Sequence, residues 1–474
     1  MRAQRTVREA ASRPGLGLAW TALGVLLLAT VPAFAADFEA GVARVKITPP
    51  TPFWMSGYAA RTRPSDGVLQ DLWAKALAVR DGEGHRVVFV STDLIGLSRV
   101  ISTDVVARAG RRFGLDPSQV LLNSSHTHCG PMVWQNLPIL LDLDARDEQA
   151  IEAYGRSLAD KLVEVVGAAL HDLAPAQLAV GHGAVGFAVN RRVSTPDGYR
   201  IGVNPDGPVD HDVPVLKVTA PDGSLRAVLF GYACHNTTLR GDVYQINGDY
   251  AGQAQEVLER DHPGATALFV MLCGGDQNPH PREKLSLARR HGRTLAAEVS
   301  RVLDTPLAPV RPPIRTASEE ARLEFAAHTR GVFEEESRHS DPHRQRRARR
   351  MLAAYDRGDP VRDVPYPVQA VRFNRDLTFL ALGGEVVVDY ALRSKREFPD
   401  ENLIVAGYSH DVMCYIPSRR VLQEEGYEAV ESMIYYGQPG RFAESVEEKI
   451  FAAIRRVMEK AGADRSTPRA ASNR

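Results

Sequence analysis

Four cysteines in 474 residues leave little room for sulfur chemistry. Cys129, Cys234, Cys273 and Cys414 form no C-x-x-C pair, which excludes a zinc ribbon and a thioredoxin-like motif. Excess charge of one sign is also lacking: 58 Lys and Arg balance 58 Asp and Glu. No global field therefore draws the chain to nucleic acid or to an anionic membrane. The Gly-x-Ser-x-Gly elbow of serine hydrolases is missing, as is the His-Glu-x-x-His helix of metalloproteases. Beyond the amino terminus, no apolar run is long enough to span a bilayer. A hydrophobic share of 44% is ordinary for a globular enzyme and leaves the function open.

The amino terminus reads as an address. Arg2, Arg5 and Arg8 precede an apolar stretch from about Leu16 to Val31, and Ala33-Phe34-Ala35 supplies a small-x-small cleavage pattern. Residues 1–36 are expected to be a signal peptide removed near Ala35, which places the mature chain in the periplasm or outside the cell. The alternative, an uncleaved membrane anchor, needs a longer apolar run. Export would permit disulfides, but sequence alone does not pair the four cysteines. Each lies beside a segment discussed below, and a small buried thiol is favoured over direct metal ligation.

After residue 36, short apolar runs alternate with helical spacings, which predicts an α/β architecture. Strands are expected at Val87–Val90, Val120–Leu122, Ala227–Phe230, Ala267–Leu272, Phe379–Leu382 and Leu403–Val405. Helices are expected around Ile151–Val165, Tyr250–Arg260, Lys284–Leu303 and Phe442–Lys460. Residues 193–213, rich in Gly, Pro and Asp, read as a long surface loop. Residues 315–362, with the run Arg346-Arg347-Ala348-Arg349-Arg350, read as a charged helical insertion with a solvated face. Residues 463–474 read as a disordered tail.

The strongest local signal is Asn123-Ser124-Ser125-His126-Thr127-His128-Cys129-Gly130-Pro131, directly after a predicted strand. Both histidines would sit at the carboxyl end of that strand, where α/β sheets gather ligands. Neutral imidazole is a good zinc ligand, and two residues of spacing let one ring bind while the other faces a substrate. His235, Asp276, Glu385, Tyr408 and Tyr415 also follow predicted strands, so one cleft can collect them all. Their placement does not say which of them bind metal. Asp210-His211-Asp212, His339 and His343 also carry metal-friendly side chains, but lie in expected surface segments.

These segments resemble the amino-terminal catalytic domain of the neutral, non-lysosomal ceramidases. The similarity begins at Gly41-Val42-Ala43-Arg44-Val45-Lys46-Ile47-Thr48-Pro49-Pro50 and Met55-Ser56-Gly57-Tyr58. It runs through Ser125-His126-Thr127-His128 and reaches Tyr427-Glu428. The resemblance implies an α/β domain of mixed sheets flanked by helices over residues 37–462. It also implies a zinc ion held by two His, a Glu and a Tyr. Matched motif by motif, the implied ligands are His126, His235, Glu385 and Tyr415. Tyr415 stands twelve positions before Tyr427, the family's spacing, and Tyr408 does not. His128 matches the second, non-ligating histidine, Arg191 matches an arginine that helps hold substrate near the metal, and Tyr427 completes the implied catalytic set.

Two departures bear on the reaction. The family commonly carries Gly-Asp-x-Ser-Pro, whereas Gly275-Asp276-Gln277-Asn278-Pro279 puts Asn278 at the serine, so a serine acyl-enzyme there is ruled out. Cys129 stands where many relatives have serine. The chain also ends soon after this domain, so the carboxyl-terminal β-sandwich of full-length ceramidases is expected to be missing. The reading that follows is a zinc-dependent amidohydrolase of an N-acyl amide, ceramide or a related acylated lipid, working through zinc-activated water. Its alternatives are a zinc esterase or amidase of smaller polar substrates, and a catalytically silent zinc-binding protein. The expected partner is the lipid or other N-acyl amide, with transient membrane-surface contact and no nucleic acid.

Overall fold

The computed structural model describes residues 37–463; the expected signal peptide and nearly all of the expected tail lie outside them. The first strands are β1 (Phe38–Lys46), β2 (Trp73–Asp81) and β3 (Arg86–Thr92), followed by α1 (Arg99–Phe113), β4 (Val120–Ser124) and α2 (Ala145–His171). Next come β5 (Ala174–Ala184), β6 (Ala188–Thr195), β7 (Gly198–Asn204), β8 (Asp212–Thr219), β9 (Leu225–Tyr232), α3 (Asp249–Asp261), β10 (Thr266–Met271), β11 (Gln277–Pro279) and α4 (Leu285–Leu303). The last third holds β12 (Ile314–Glu324), α5 (Arg330–Glu336), α6 (Pro342–Asp356), β13 (Asp363–Phe373), β14 (Leu377–Leu382) and β15 (Glu385–Val386). It ends with α7 (Asp389–Glu397), β16 (Leu403–Ala406), β17 (Tyr415–Ile416) and α8 (Val446–Lys460).

A nine-stranded mixed sheet runs in the order β10-β9-β8-β5-β1-β2-β3-β4, with Ala308–Pro309 pairing on β5. A second sheet runs β12-β13-β14-β16. In both, alternate residues face opposite cores. Leu77, Val87, Phe89 and Leu229 meet Phe373, Phe379 and Ile404 between the sheets. Ala76, Val88, Val90 and Phe230 face the helical side with Leu158, Leu162 and Leu295. Strands buried on both faces read as continuous apolar runs, which is why the six apolar runs are strands. All the expected helices form too. In α2 the residues Ile151, Leu158, Leu162 and Val165 are buried on one face, and Asp144 caps the helix by accepting from the Asp147 amide.

The two end strands of the large sheet, β10 and β4, meet through one side chain. The Met271 amide donates to Asn123 Oδ1 at 2.8 Å, and Asn123 Nδ2 donates to the carbonyls of Met271 (3.2 Å) and Gly407 (2.7 Å). The carboxyl ends of β4 and β10 are thereby tied to the segment that follows β16.

Two segments differ from the sequence reading. Residues 193–213 are not a long loop: β6 and β7 form a hairpin, paired Thr195 to Gly198 and Arg192 to Ile201. Pro196, Asp197 and Gly198 make its turn, where Gly198 has a φ of 103°, and only residues 205–211 are irregular. Residues 315–362 begin as strand rather than helix, with β12 paired along its whole length to β13. Its charges lie on an edge strand in which Ile314, Ala317, Ala321 and Leu323 are buried. Helix starts only at Arg330, and Arg347 is buried against Glu336, so the basic run is only partly solvated.

Asn123→Ala leaves the buried Met271 amide without its acceptor and takes a donor from the carbonyls of Met271 and Gly407, the second of which keeps the Ser409 hydroxyl. Each such group costs about 1–3 kcal/mol, so the urea unfolding midpoint should fall by the equivalent of about 3 kcal/mol.

Candidate metal centre

His126 lies two residues beyond β4, at a φ of 60° that turns its ring back over the strand end. Its Nδ1 is 2.6 Å from the Ile95 carbonyl. His235 follows β9, and its Nδ1 is 2.7 Å from the Gly274 carbonyl. A carbonyl can only accept, so each ring carries its proton on Nδ1, and in the neutral form Nε2 is left as a lone pair. Both Nε2 atoms lie 3.0 Å from Glu385 Oε2.

Glu385 opens β15 directly after Gly383-Gly384. Gly384 has a φ of 76°, and a Cβ there would lie 2.8 Å from the Cys414 carbonyl oxygen, so this approach requires glycine. β15 pairs in parallel with β17, which sets Glu385 opposite Tyr415. The Tyr436 hydroxyl donates to Glu385 Oε1, whereas Oε2 is buried without a hydrogen-bond donor. Burial alone would raise the Glu385 carboxyl, but His126 and His235 outweigh it and hold it well below the usual carboxylate range. His235 is pushed down to about 3 by burial and by the charge of Arg191. Where the rings are neutral, their Nε2 lone pairs face the Glu385 carboxylate oxygen at 3.0 Å in a dry site. Acceptors so placed repel one another unless a cation lies among them. The donor set of imidazoles, carboxylate and phenol suits a divalent metal. Among the described residues, His126, His128 and His235 offer ring nitrogens within 4.8 Å of one another, a cluster that could hold a metal ion.

The other four residues singled out in the sequence surround this point. Tyr415 Oη is 3.0 Å from His235 Nε2, with the two rings parallel. Arg191 donates to Tyr415 Oη at 3.0 Å, to Glu428 Oε1 at 2.8 Å and to Asn278 Oδ1 at 3.3 Å. Its guanidinium also lies over the Tyr427 ring. His128 Nε2 is 3.0 Å from His126 Nε2, and its Nδ1 is buried without a partner. Burial and the neighbouring imidazoles hold His128 well below the ordinary histidine pKa, so it is a neutral base. Burial holds the Tyr427 hydroxyl well above its usual value, so it is a neutral donor.

Several neighbours carried no role in the sequence reading. Tyr436 has no motif to mark it; only its contact with Glu385 does. Tyr408 does not share the Tyr427 spacing, yet its ring packs on His126 at 4.4 Å. Gly57 and Tyr58 frame His128. A Cβ on Gly57 would sit 2.5 Å from the His128 ring, and the Tyr58 ring packs on it at 4.9 Å. Their signal was the Met-Ser-Gly-Tyr motif itself. Asp276 spends its oxygens on the Val388 amide and Asn190, away from the histidines. Asp210 and Asp212 pair with Lys395, and His211 and His343 face backbone carbonyls. All four cysteines are buried and free.

Glu428 bridges Arg191 and Arg192, all three nearly fully buried. Burial would raise its carboxyl, and the two arginines outweigh that and lower it. Breaking a buried ion pair from one side costs about 3–5 kcal/mol, so Glu428→Gln should lower urea stability by that order. A lowered carboxyl contributes fully above the unfolded pKa and loses its contribution as pH falls through the folded value. The gap between wild type and Glu428→Gln should therefore be widest near neutrality and shrink below about pH 4.5.

With this geometry in hand, comparison with known proteins places the chain. The family model described as neutral/alkaline non-lysosomal ceramidase, N-terminal, matches residues 38–279, half of the chain. Neutral ceramidase A of Dictyostelium discoideum is 25% identical over 251 residues, which cover 48% of this chain and 34% of that protein. The neutral ceramidase of Mycobacterium tuberculosis (strain ATCC 25618 / H37Rv) is 25% identical over 249 residues, covering 49% and 38%. These matches span about a third of the length of the curated relatives. In three dimensions the fold is similar to a solved ceramidase complexed with C2, with a TM-score of 0.70 at 17% identity, covering 91% of this chain and 77% of that one. The neutral ceramidase of Pseudomonas aeruginosa gives 0.68 at 17% identity, covering 92% and 77%. By its sequence match and its fold, the chain belongs to the neutral/alkaline non-lysosomal ceramidase family.

Proposed function

We propose that the protein is an exported, zinc-dependent amidohydrolase that cleaves the N-acyl amide of ceramide or a related acylated lipid. The observation that carries this reading is the convergence of His126 Nε2, His235 Nε2 and the donor-free Glu385 Oε2, each imidazole 3.0 Å from the carboxylate oxygen. His126, His235, Glu385 and Tyr415 would hold the ion. When bound, zinc supplies Lewis acidity and a nucleophilic water at neutral pH.

The remaining chemistry falls to this chain's own side chains. His128 is neutral, beside the ligand cluster and partly open to solvent. It is placed to take a proton and pass it to the departing amine nitrogen. Arg191 is fixed by Glu428, Tyr415 and Asn278, so its charge orients the amide carbonyl at little entropic cost. The Tyr427 hydroxyl stays protonated and donates toward the developing oxyanion. Asn278 has no nucleophilic oxygen, which leaves water as the attacking group. Ceramide as the substrate class draws on the names of the matched relatives, and export on the amino-terminal pattern of basic, apolar and small residues. Among the described residues no helix is long and apolar enough to cross a membrane.

Purified protein should contain about one zinc per chain by elemental analysis and release fatty acid from fluorescent N-acyl sphingosine. Glu385→Gln and His126→Ala should each abolish metal and activity together. Full metal occupancy with no turnover of amides or esters would sink the catalytic reading. Activity on short polar amides alone would move the substrate to smaller molecules. Tyr436→Phe removes the hydrogen bond that orients Glu385, so zinc affinity measured against a competing chelator should fall about tenfold or more.

A further inference from the structure

A cleft of about 330 Å³ opens beside the ligand cluster, lined by the β7 edge, the Asn278–Glu283 segment and Arg240. Two of its lining residues reach the cluster through a single intermediate. Asn278 Oδ1 accepts from Arg191, which donates to Tyr415. Arg282 lies 3.4 Å from the hydroxyl of Tyr58, whose ring packs on His128. The cleft thus lies one side chain removed from the cluster at two points.

Its chemistry is uneven along its length. Arg282 is half-buried, and its Nε has no hydrogen-bond partner. Asp249, which lies outside the cleft lining, attracts Arg282 but makes no hydrogen bond to it, its oxygens being taken by the amides of Leu239 and Tyr250. Arg240 stands at the rim, paired with Glu283 at 2.5 Å. The cleft therefore carries two arginines against one acid. At its outer side, Ile201 and Val203 are 49% and 53% exposed, two of only five large aliphatic side chains so open among the described residues. They are two residues apart on one strand and present the same face. A neutral diol headgroup calls for no guanidinium, whereas a carboxylate does.

We propose, building on the amidohydrolase reading above, that this cleft selects N-acyl amides bearing a carboxylate close to the scissile bond. An N-acyl amino acid fits: its carboxylate pairs with Arg282, and its hydrocarbon chain leaves along Ile201 and Val203. The reaction is ordinary hydrolysis: water adds its hydroxyl to the acyl carbon, the C–N bond breaks, and the proton goes to the amine nitrogen.

The test compares kcat/KM of the zinc-loaded protein for N-dodecanoylglycine and for N-dodecanoylethanolamine, which share a chain and differ in charge. The glycine conjugate should be preferred by about tenfold or more, the worth of one charge-assisted hydrogen bond. Arg282→Met should bring the ratio to near one. Glu283→Gln, at the exposed rim, should raise it by freeing Arg240, and so gives an independent readout if Arg282→Met folds poorly. Equal rates for the two amides, or cleavage of N-acyl sphingosine alone, would overturn the inference and leave the amidohydrolase reading standing. If no amide is cleaved, that reading fails instead. Calorimetric binding of N-dodecanoylglycine then decides the cleft: affinity about tenfold weaker in Arg282→Met supports it, and equal affinity overturns it.

Discussion

The arrangement depends on the carboxamide of Asn123. It is fully buried, it accepts from the Met271 amide, and it donates to the carbonyls of Met271 and Gly407. Three strand ends that are far apart in sequence are held within one side chain's reach of one another. His126 follows the first of these ends, and Tyr408, packed on its ring, follows the third. Buried peptide groups at strand ends must find partners. An asparagine supplies both a donor and an acceptor in one plane, which an aliphatic residue of the same size does not.

Around that junction the electrostatics separate into two regions. On one side, Glu428 lies between Arg191 and Arg192, and Glu424 also pairs with Arg192, closing a buried ion network. On the other, Glu385 has one oxygen satisfied by Tyr436 and one directed at the Nε2 atoms of His126 and His235. The first region is complete as built. The second makes sense only with positive charge among its acceptors, and low dielectric makes that demand strong. Tyr415 joins the two, touching His235 on one side and Arg191 on the other.

Much of this was legible in the chain. The six apolar runs read as strands because strands buried on both faces need no polar alternation. The helices read from their spacing, since one buried face is enough to mark them. The antiparallel strands β1, β2, β5, β8, β12 and β13 were less visible, because small residues, charges or prolines interrupt their apolar positions. Residues 193–213 were read as one long loop from their Pro, Asp and Gly, whereas residues 188–204 form a hairpin. The alternation of Tyr199, Ile201 and Val203 was the overlooked strand signal. Asp276 lies past a strand like the other candidates, but its carboxylate is turned to the Val388 amide.

The sequence by itself determined which residue types were available and that His126, His128, His235, Glu385 and Tyr415 follow predicted strands, because apolar runs and motif spacing are local properties of the chain. His126, His128, Arg191, His235, Glu385, Tyr415 and Tyr427 could all be named from it. Only the tertiary structure decided that they meet, that Tyr436 steadies Glu385, and that arginines and exposed aliphatics share the neighbouring cleft. Those facts join residues up to hundreds of positions apart, and only sheet register and packing between layers bring them into contact.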